Sequence, residues 1–518
     1  MSTTPIPDLA PLGEPTSTVE RHRWAILAVT CLAVFVTVLD GTIVNVALPT
    51  LTVELGATTR QLQWIVDAYL LVFTGLLLAA GGLGDKYGRK RMLIAGLLLF
   101  GATSAYAGSV DTAGSLIAGR ALMGIGAAMI FPATLAIITS VFTNPSERAK
   151  AIGVWSAVSG MAVAFGPIVG GWLLENFWWG SVFFINVPIT IAVAIATWRL
   201  VPESREHDAP RLDLPGVFLS IGAITALVFS IIEAPEWGWL APTTLLVFAL
   251  GVALLGAFVW WELRTPAPML PVGIFRNLRF SAASVAVTSA FFALFGFIFL
   301  ITQYFQLVRG YGPFEAGLRT LPVALAIAVA SVAAPRIVEA VGTTNVVRFG
   351  LALLGTSFVW IAFRIDVGTP YLEIVGQMVL LGAGLGATTA PATESIMGSL
   401  SADKAGIGSA VNDTTRELGG TLGVAVIGSV FSSLYVGSLD DLGPTSVFAN
   451  LPAEAQEATR ESVGAAGFVA RELGPNAPAY LAEVNDAFLS GLMIGSLVAG
   501  GAAYAGAIFA SRFLPARA

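Results

Sequence analysis

The stretch GGLGDKYGRKRML, Gly81 to Leu93, joins two long apolar runs through a short polar turn. Its glycines allow two helices to approach and the chain to reverse tightly. Asp85 can pair with a nearby arginine or sit at a helix N-terminus. A signal that only holds a loop on one membrane side needs cations and nothing more. The spacing G-x-L-x-D-K-x-G-R-K places Gly81, Asp85, Gly88 and Arg89 in a fixed order that such a signal does not require.

Around this turn the chain is strongly apolar. Of 518 residues 56% are hydrophobic and only 12% charged, against roughly 25% charged in a soluble domain. The class is an all-α integral membrane protein that crosses the bilayer many times. Cys31 is the single cysteine, and His22 and His207 are the two histidines, both in polar segments. No internal disulfide, Cys or His metal centre, or histidine relay can be assembled from them. Any proton carrier inside the membrane is therefore Asp or Glu. No P-loop is present, which points away from an ATP-driven pump, and no nucleophile–base cluster suggests an enzyme. Nothing suggests nucleic-acid binding. The first 23 residues are polar and read as a disordered segment without a signal-peptide pattern.

A spanning helix needs about 20 apolar residues. Fourteen candidate spans lie near 24–47, 63–83, 91–109, 113–138, 150–174, 182–201, 214–233, 242–262, 280–305, 316–338, 346–364, 371–395, 405–431 and 486–510. The stretch 436–485 reads as a long polar loop. With the N-terminus inside, nineteen Lys and Arg fall in cytoplasmic segments and six in outer ones. The positive-inside rule then puts both termini in the cytoplasm and 436–485 outside. The turn at Gly81 has a weak counterpart in APRIVEAVGTTNVVRFGLALLG, which follows span ten. This pairs spans one to six (24–201) with spans nine to fourteen (280–510) as two six-helix bundles. Residues 202–279 become two inserted helices with their loops, and 511–518 a cytoplasmic tail. Parallel repeats of this kind hold a substrate between the halves near the midplane.

Charges inside the spans are the candidate site residues, because ionisable groups there are costly and tend to be functional. Asp40 lies in LDGTIVNVALP of span one, and Arg120 in LIAGRALMGIGAA of span four. At 1.5 Å per residue, Asp40 at about 15 residues from one side and Arg120 at about 7 from the other reach similar depth. A pair or shared network is open to them, either as an inert pair or as a base that tunes a proton-carrying acid. Asp413 and Glu417 are i, i+4 neighbours on one face of span thirteen, with Arg416 alongside. They form either a self-neutralised patch or, since one arginine cannot neutralise both, a proton or cation site. Asp67 follows Trp64 and precedes Tyr69 near the start of span two; an acid among aromatics suits a lipophilic cation, and an interfacial helix start suits it equally. Glu233 and Glu236 read as outer-loop acids. In GMAVAFGPIVGGWL, Pro167 removes a helix hydrogen bond, while Gly166, Gly170 and Gly171 give a smooth packing face.

These motifs together resemble the fourteen-span drug:proton antiporter family of the major facilitator superfamily. QWIVDAYLL, WWGSVFFINVPI and LVPESRE are similar to segments of its exporters of quaternary ammonium compounds. The resemblance implies that Asp85 and Arg89 act as a conformational latch, and that Gly166, Pro167, Gly170 and Gly171 mark an antiporter. It places Asp40, Arg120, Asp413 and Glu417 in proton coupling, and Asp67, Asp413, Glu417, Trp64 and Tyr69 among substrate contacts. It implies a monomer in a bacterial cytoplasmic membrane that exports lipophilic, cationic drugs in exchange for protons, with no cofactor. A dedicated exporter of one antibiotic or metabolite is the alternative.

Overall fold

The computed structural model describes residues 17–205, 213–399 and 405–514. His207, Arg211, Lys404, the first sixteen residues and the tail beyond 514 lie outside them. The described chain is helical throughout. In order the helices are α1 (Ser17–Leu55), α2 (Thr59–Tyr87), α3 (Arg89–Ala107), α4 (Ala113–Val141), α5 (Pro145–Asn176), α6 (Ser181–Phe184), α7 (Asn186–Leu200), α8 (Leu214–Trp237) and α9 (Pro242–Glu262). Then come α10 (Leu278–Gln303), α11 (Pro313–Arg319), α12 (Leu321–Val341), α13 (Thr343–Arg364), α14 (Tyr371–Gly398), α15 (Ala405–Asp440), α16 (Ala453–Glu461), α17 (Val463–Glu472) and α18 (Ala477–Phe513).

Among the described residues eleven helices are long and apolar enough to cross a membrane, or thirteen if each of two bent pairs is one span. The helix this leaves out is α3, whose first turn holds Arg89, Lys90 and Arg91. Several boundaries differ from the sequence expectation. The first span does not stop at 47: α1 continues through Pro49 to Leu55, because Leu48 and Leu51 are fully buried and packing outweighs one lost hydrogen bond. Span six is one crossing, Ser181–Leu200, made of α6 and α7. Region 436–485 is no plain loop. It completes α15, forms α16 and α17, and begins α18, with Pro452 at the cap of α16 and Pro478 in the first turn of α18, where a missing N–H does no harm.

The packing repeats. In the first half α3 and α2 both lie on α4, and α3 on α7; in the second, α13 and α12 lie on α14, and α13 on α18. The reversals match as well. Gly88 between α2 and α3 has φ +114°, and Gly342 between α12 and α13 has φ +85°, a region L side chains rarely adopt. The weak sequence echo thus corresponds to one turn conformation used twice.

The halves are locked together at the end away from the basic turns. Gln306 donates to Val46 O at 2.9 Å, and Gln63 to Ser429 Oγ at 3.2 Å. The Phe314 amide donates to Glu175 Oε1 at 3.1 Å. At Gly171 a Cβ would sit 2.7 Å from the Phe314 nitrogen, so only glycine lets α5 and α11 meet there. Towards the basic end, α5 from 152 to 163 and α12 from 325 to 341 are for the most part exposed or half-buried, and none of these interlocking bonds recurs there among the described residues. α5 bends by 41° between its segments 150–163 and 165–176, where Pro167 cannot donate to the carbonyl four residues back. The inserted helix α8 packs on both α2 and α15, covering one seam between the halves; α9 lies outside it.

Gly171→Val is expected to prop this closed end open. In Cys31→Ala protein bearing Gln306→Cys, alkylation by a hydrophilic maleimide should rise several-fold over the Gly171 parent; an unchanged rate would show that the α5–α11 contact does not hold the closure.

Candidate substrate and coupling site

Inside the first half a polar knot is sealed from solvent. Asp40 and Arg120 are both 0% exposed, and Arg120 Nη1 donates to Asp40 Oδ2. Arg120 Nε donates to the Ile65 carbonyl at 3.0 Å. Asn186 Nδ2 donates to the other Asp40 oxygen at 2.8 Å and to Ser104 Oγ at 3.0 Å, and Ser104 donates to the Phe183 carbonyl at 2.8 Å. The Arg120 guanidinium stacks on the Tyr69 ring, 4.3 Å from its centroid. The Tyr69 hydroxyl donates to Thr37 O at 3.0 Å. A guanidinium does not lose its proton in a protein, so Asp40 is the counter-charge that permits this burial. Arg120 Nη2 and Asn186 Oδ1 have no partner, so the knot has spare hydrogen-bonding capacity.

Of the two settings open to Asp67, the structure does not show the interfacial helix start. α2 begins at Thr59 behind a capping box from Thr58 and Gln61, so Asp67 is more than two turns inside. It is 0% exposed, and neither carboxylate oxygen has a hydrogen bond. Gln63, Asp67 and Leu71 share one helix face. Gln63 bonds to α15, and Leu71 packs with Ala425 of α15 and Val228 of α8. Asp67 therefore sits bare at the seam between the halves.

The two aromatics expected beside it are engaged elsewhere. Trp64 donates to Glu233 Oε1 at 3.2 Å and packs on Phe229 of α8. Tyr69 belongs to the Arg120 knot. Glu233 is no outer-loop acid either: it is buried and also accepts from Arg60 at 2.9 Å, while Glu236 makes a second contact to Arg60. Together these side chains fasten α8 to α2.

In the second half Asp413, Arg416 and Glu417 are partly exposed on α15. Arg416 lies within electrostatic range of both acids without forming an ion pair to either. Among the described residues it has no ion pair; its Nη2 donates to Thr393 Oγ1 at 3.1 Å, and its guanidinium lies 5.4 Å from the Phe291 ring centroid. Asp413 receives only a long 3.4 Å bond from Asn412. Tyr69 lies within electrostatic range of Asp40, Arg120 and Glu417 alike, so the buried knot and Glu417 of the other half feel one another through it.

The motif residues lie away from this region. Arg89 Nη2 bridges to Asp85 Oδ1 at 2.7 Å, and the Arg89 amide donates to Ser204 O at 2.9 Å. Glu203, overlooked in the sequence reading, accepts from the Lys90 amide at 3.2 Å and pairs with Arg91 at 3.5 Å. It stands at the N-terminus of α3, where a carboxylate is favoured. A Cβ at Gly88 would run into it, 2.6 Å from Oε1, and a Cβ at Gly81 would only touch Pro132 at 3.7 Å. Gly166 and Gly170 press on Thr42 and Ile43 of α1, one turn beyond Asp40. Asn186 was also missed, although a lone amide in FFINVPI was a visible sign.

Two repeated helix bundles around a polar interface, with one end closed, define a membrane transporter rather than an enzyme. The family model described as "Major Facilitator Superfamily" matches residues 30–424, and the chain belongs to that superfamily. It is 35% identical to the "Multidrug efflux pump LfrA" of Mycolicibacterium smegmatis, over 94% of this chain and 95% of that protein. It is 38% identical to the "Methyl viologen resistance protein SmvA" of Salmonella typhimurium, over 90% of this chain and 93% of that one. A solved bacterial homologue of the human lysosomal transporter Spinster, inward-facing and unoccupied, shares the fold at TM-score 0.68 and 16% identity, covering 97% of this chain and 98% of that one.

Removing one partner of a buried ion pair strands the other and costs about 3–5 kcal/mol. Arg120→Ala should therefore lower the melting temperature of detergent-solubilised protein sharply, and Asp40→Asn/Arg120→Ala should recover part of the loss. A double variant as unstable as the sum of both singles would mean the pair is not coupled.

Proposed function

We propose that this chain is a proton-driven exporter of lipophilic, mainly cationic drugs that works by alternating access. The observation that carries the reading is the pair Asp413 and Glu417, partly exposed and in no ion pair among the described residues, with Glu417 in electrostatic range of Tyr69, which stacks on the Arg120 of the sealed knot. Similarity to proteins named for multidrug efflux and for resistance to methyl viologen, a dication, supports drug export. The charge count over the loops supports cytoplasmic termini in a bacterial cytoplasmic membrane. One chain holds both halves, so a monomer suffices, and protons are the only coupling ion needed.

In this reading a drug cation enters from the open basic end. Its charge rests against Asp413 and Glu417, with its apolar body against Phe291 and Phe295, which stack at 6.3 Å. Rocking of the halves breaks the Gln63 and Gln306 bonds and opens the far end. Asp67, bare at the seam, is then wetted and exchanges protons with the outside. Protons on Asp413 and Glu417 remove the attraction that holds the drug, and it leaves. Asp40 is the acid whose hold on Arg120 reports proton loading of the first half. The transmembrane potential adds about 2.3 kcal/mol per charge per 100 mV to proton entry.

In everted vesicles carrying a pH-gradient dye, lipophilic cations such as ethidium should release protons from the lumen. Glu417→Gln should abolish that signal at wild-type protein levels, and Asp40→Asn should abolish it when the signal is normalised to folded protein in the membrane. Absence of proton movement with every cation tested would refute coupling, and full activity in Glu417→Gln would remove that residue from the site.

A further inference from the structure

At the basic end of the inserted pair, far along α8 and α9 from Glu233, two further acids meet. Asp213 caps α8, and Glu262 closes the last turn of α9. They are 8% and 3% exposed. Asp213 Oδ1 is doubly satisfied, by the Gly216 amide at 3.0 Å and Trp261 Nε1 at 2.7 Å. Glu262 Oε2 accepts from the Leu270 amide at 3.1 Å. That leaves one oxygen on each acid, Asp213 Oδ2 and Glu262 Oε1, buried and without a donor. Both crowd the same spot beside Gly216, where a Cβ would stand 2.5 Å from one and 2.7 Å from the other. The two carboxyl groups are within hydrogen-bonding reach of each other.

Two ionised carboxylates have no hydrogen to share and repel in such a place. Among the described residues no cation pairs with either acid: Arg264, two residues after Glu262, is stacked on Trp260 at 4.3 Å, and Arg211, two residues before Asp213, lies outside the described residues. Arg276 follows in the same connection and pairs with neither. Among the described residues the helices packed on α8, namely α2, α9 and α15, place no other charged group in a hydrogen bond or ion pair with the two acids.

We propose that Asp213 and Glu262 form a proton-binding site in which one proton, carried on Glu262 Oε1, is donated to Asp213 Oδ2. The two donors already on Asp213 Oδ1 favour Asp213 as the ionised member, which assigns the proton to Glu262. The bound proton ties the base of α9 to the cap of α8. Through Leu270 it also holds the connection 263–277, which joins α9 to α10, the first helix of the second half. Loss of the proton places two negative charges face to face and frees that connection. The site thus reads pH at the basic face, apart from Asp40, Asp67, Asp413 and Glu417, and does not depend on the transport reading.

The test uses the full chain in detergent. Limited trypsin cleavage after Arg264, normalised to cleavage after Arg471 at the opposite end, should rise several-fold from mildly acidic to alkaline medium. Glu262→Gln, whose amide donates permanently to Asp213, should stay folded with cleavage flat and low across the range. Infrared difference spectra should show a protonated carboxyl band that alkali removes, missing in Glu262→Gln and in Asp213→Asn but retained in Glu417→Gln. A Glu262→Gln profile that rises like wild type, or a band unchanged in both variants, would overturn the shared proton.

Discussion

A guanidinium buried inside a membrane helix bundle cannot discard its charge, so Arg120 makes Asp40 obligatory. Around that pair the first half is arranged. Asn186 and Ser104 complete the shell from α7 and α3, Ile65 supplies a carbonyl from α2, and Tyr69 roofs the guanidinium with its ring. Each of these helices is therefore held in register by polar contacts as well as by apolar packing. Lipid tails are as apolar as leucine, so apolar packing alone would specify little.

The second half repeats the packing but not the knot. Its acids on α15 are left partly open, and its arginine is turned to Thr393. The first half thus keeps its arginine paired and dry, with Asp67 alone bare at the seam, while the second leaves its acids partly open. The closed end is held by a few hydrogen bonds from Gln63, Gln306 and Glu175 and by a backbone contact at Gly171. Such contacts can be exchanged without unfolding either bundle, which is what a two-state rocking transition requires. The inserted pair is fastened to α2 through Arg60, Trp64 and Glu233, so it is expected to travel with the first half while sliding on α15.

Much of this was legible in the residues. Apolar run length gave the spans, and the turn at Gly88 with its echo at Gly342 gave the repeat, because a positive φ demands glycine at that register. The depth arithmetic brought Asp40 and Arg120 to one level, since helix rise is constant. What misled was local adjacency. Trp64 and Tyr69 flank Asp67 in sequence, yet on a helix they point to different neighbours, α8 and α4. Arg416 sits between two acids in sequence and pairs with neither. Region 436–485, polar by composition, is helical because polarity bars it from lipid but does not bar it from hydrogen-bonding its own backbone.

By itself, then, the sequence determined the membrane class, the two-bundle organisation, the superfamily motifs and the short list of intramembrane charges. These follow from local properties: apolar length, turn stereochemistry and the expense of a charge in hydrocarbon. Only the tertiary structure decided which charges are paired, which stand bare at the seam, which end is shut, and that Asp213 and Glu262 face each other from helices nearly fifty residues apart. Those outcomes depend on which helix faces meet, and that is settled by packing between elements remote in the chain.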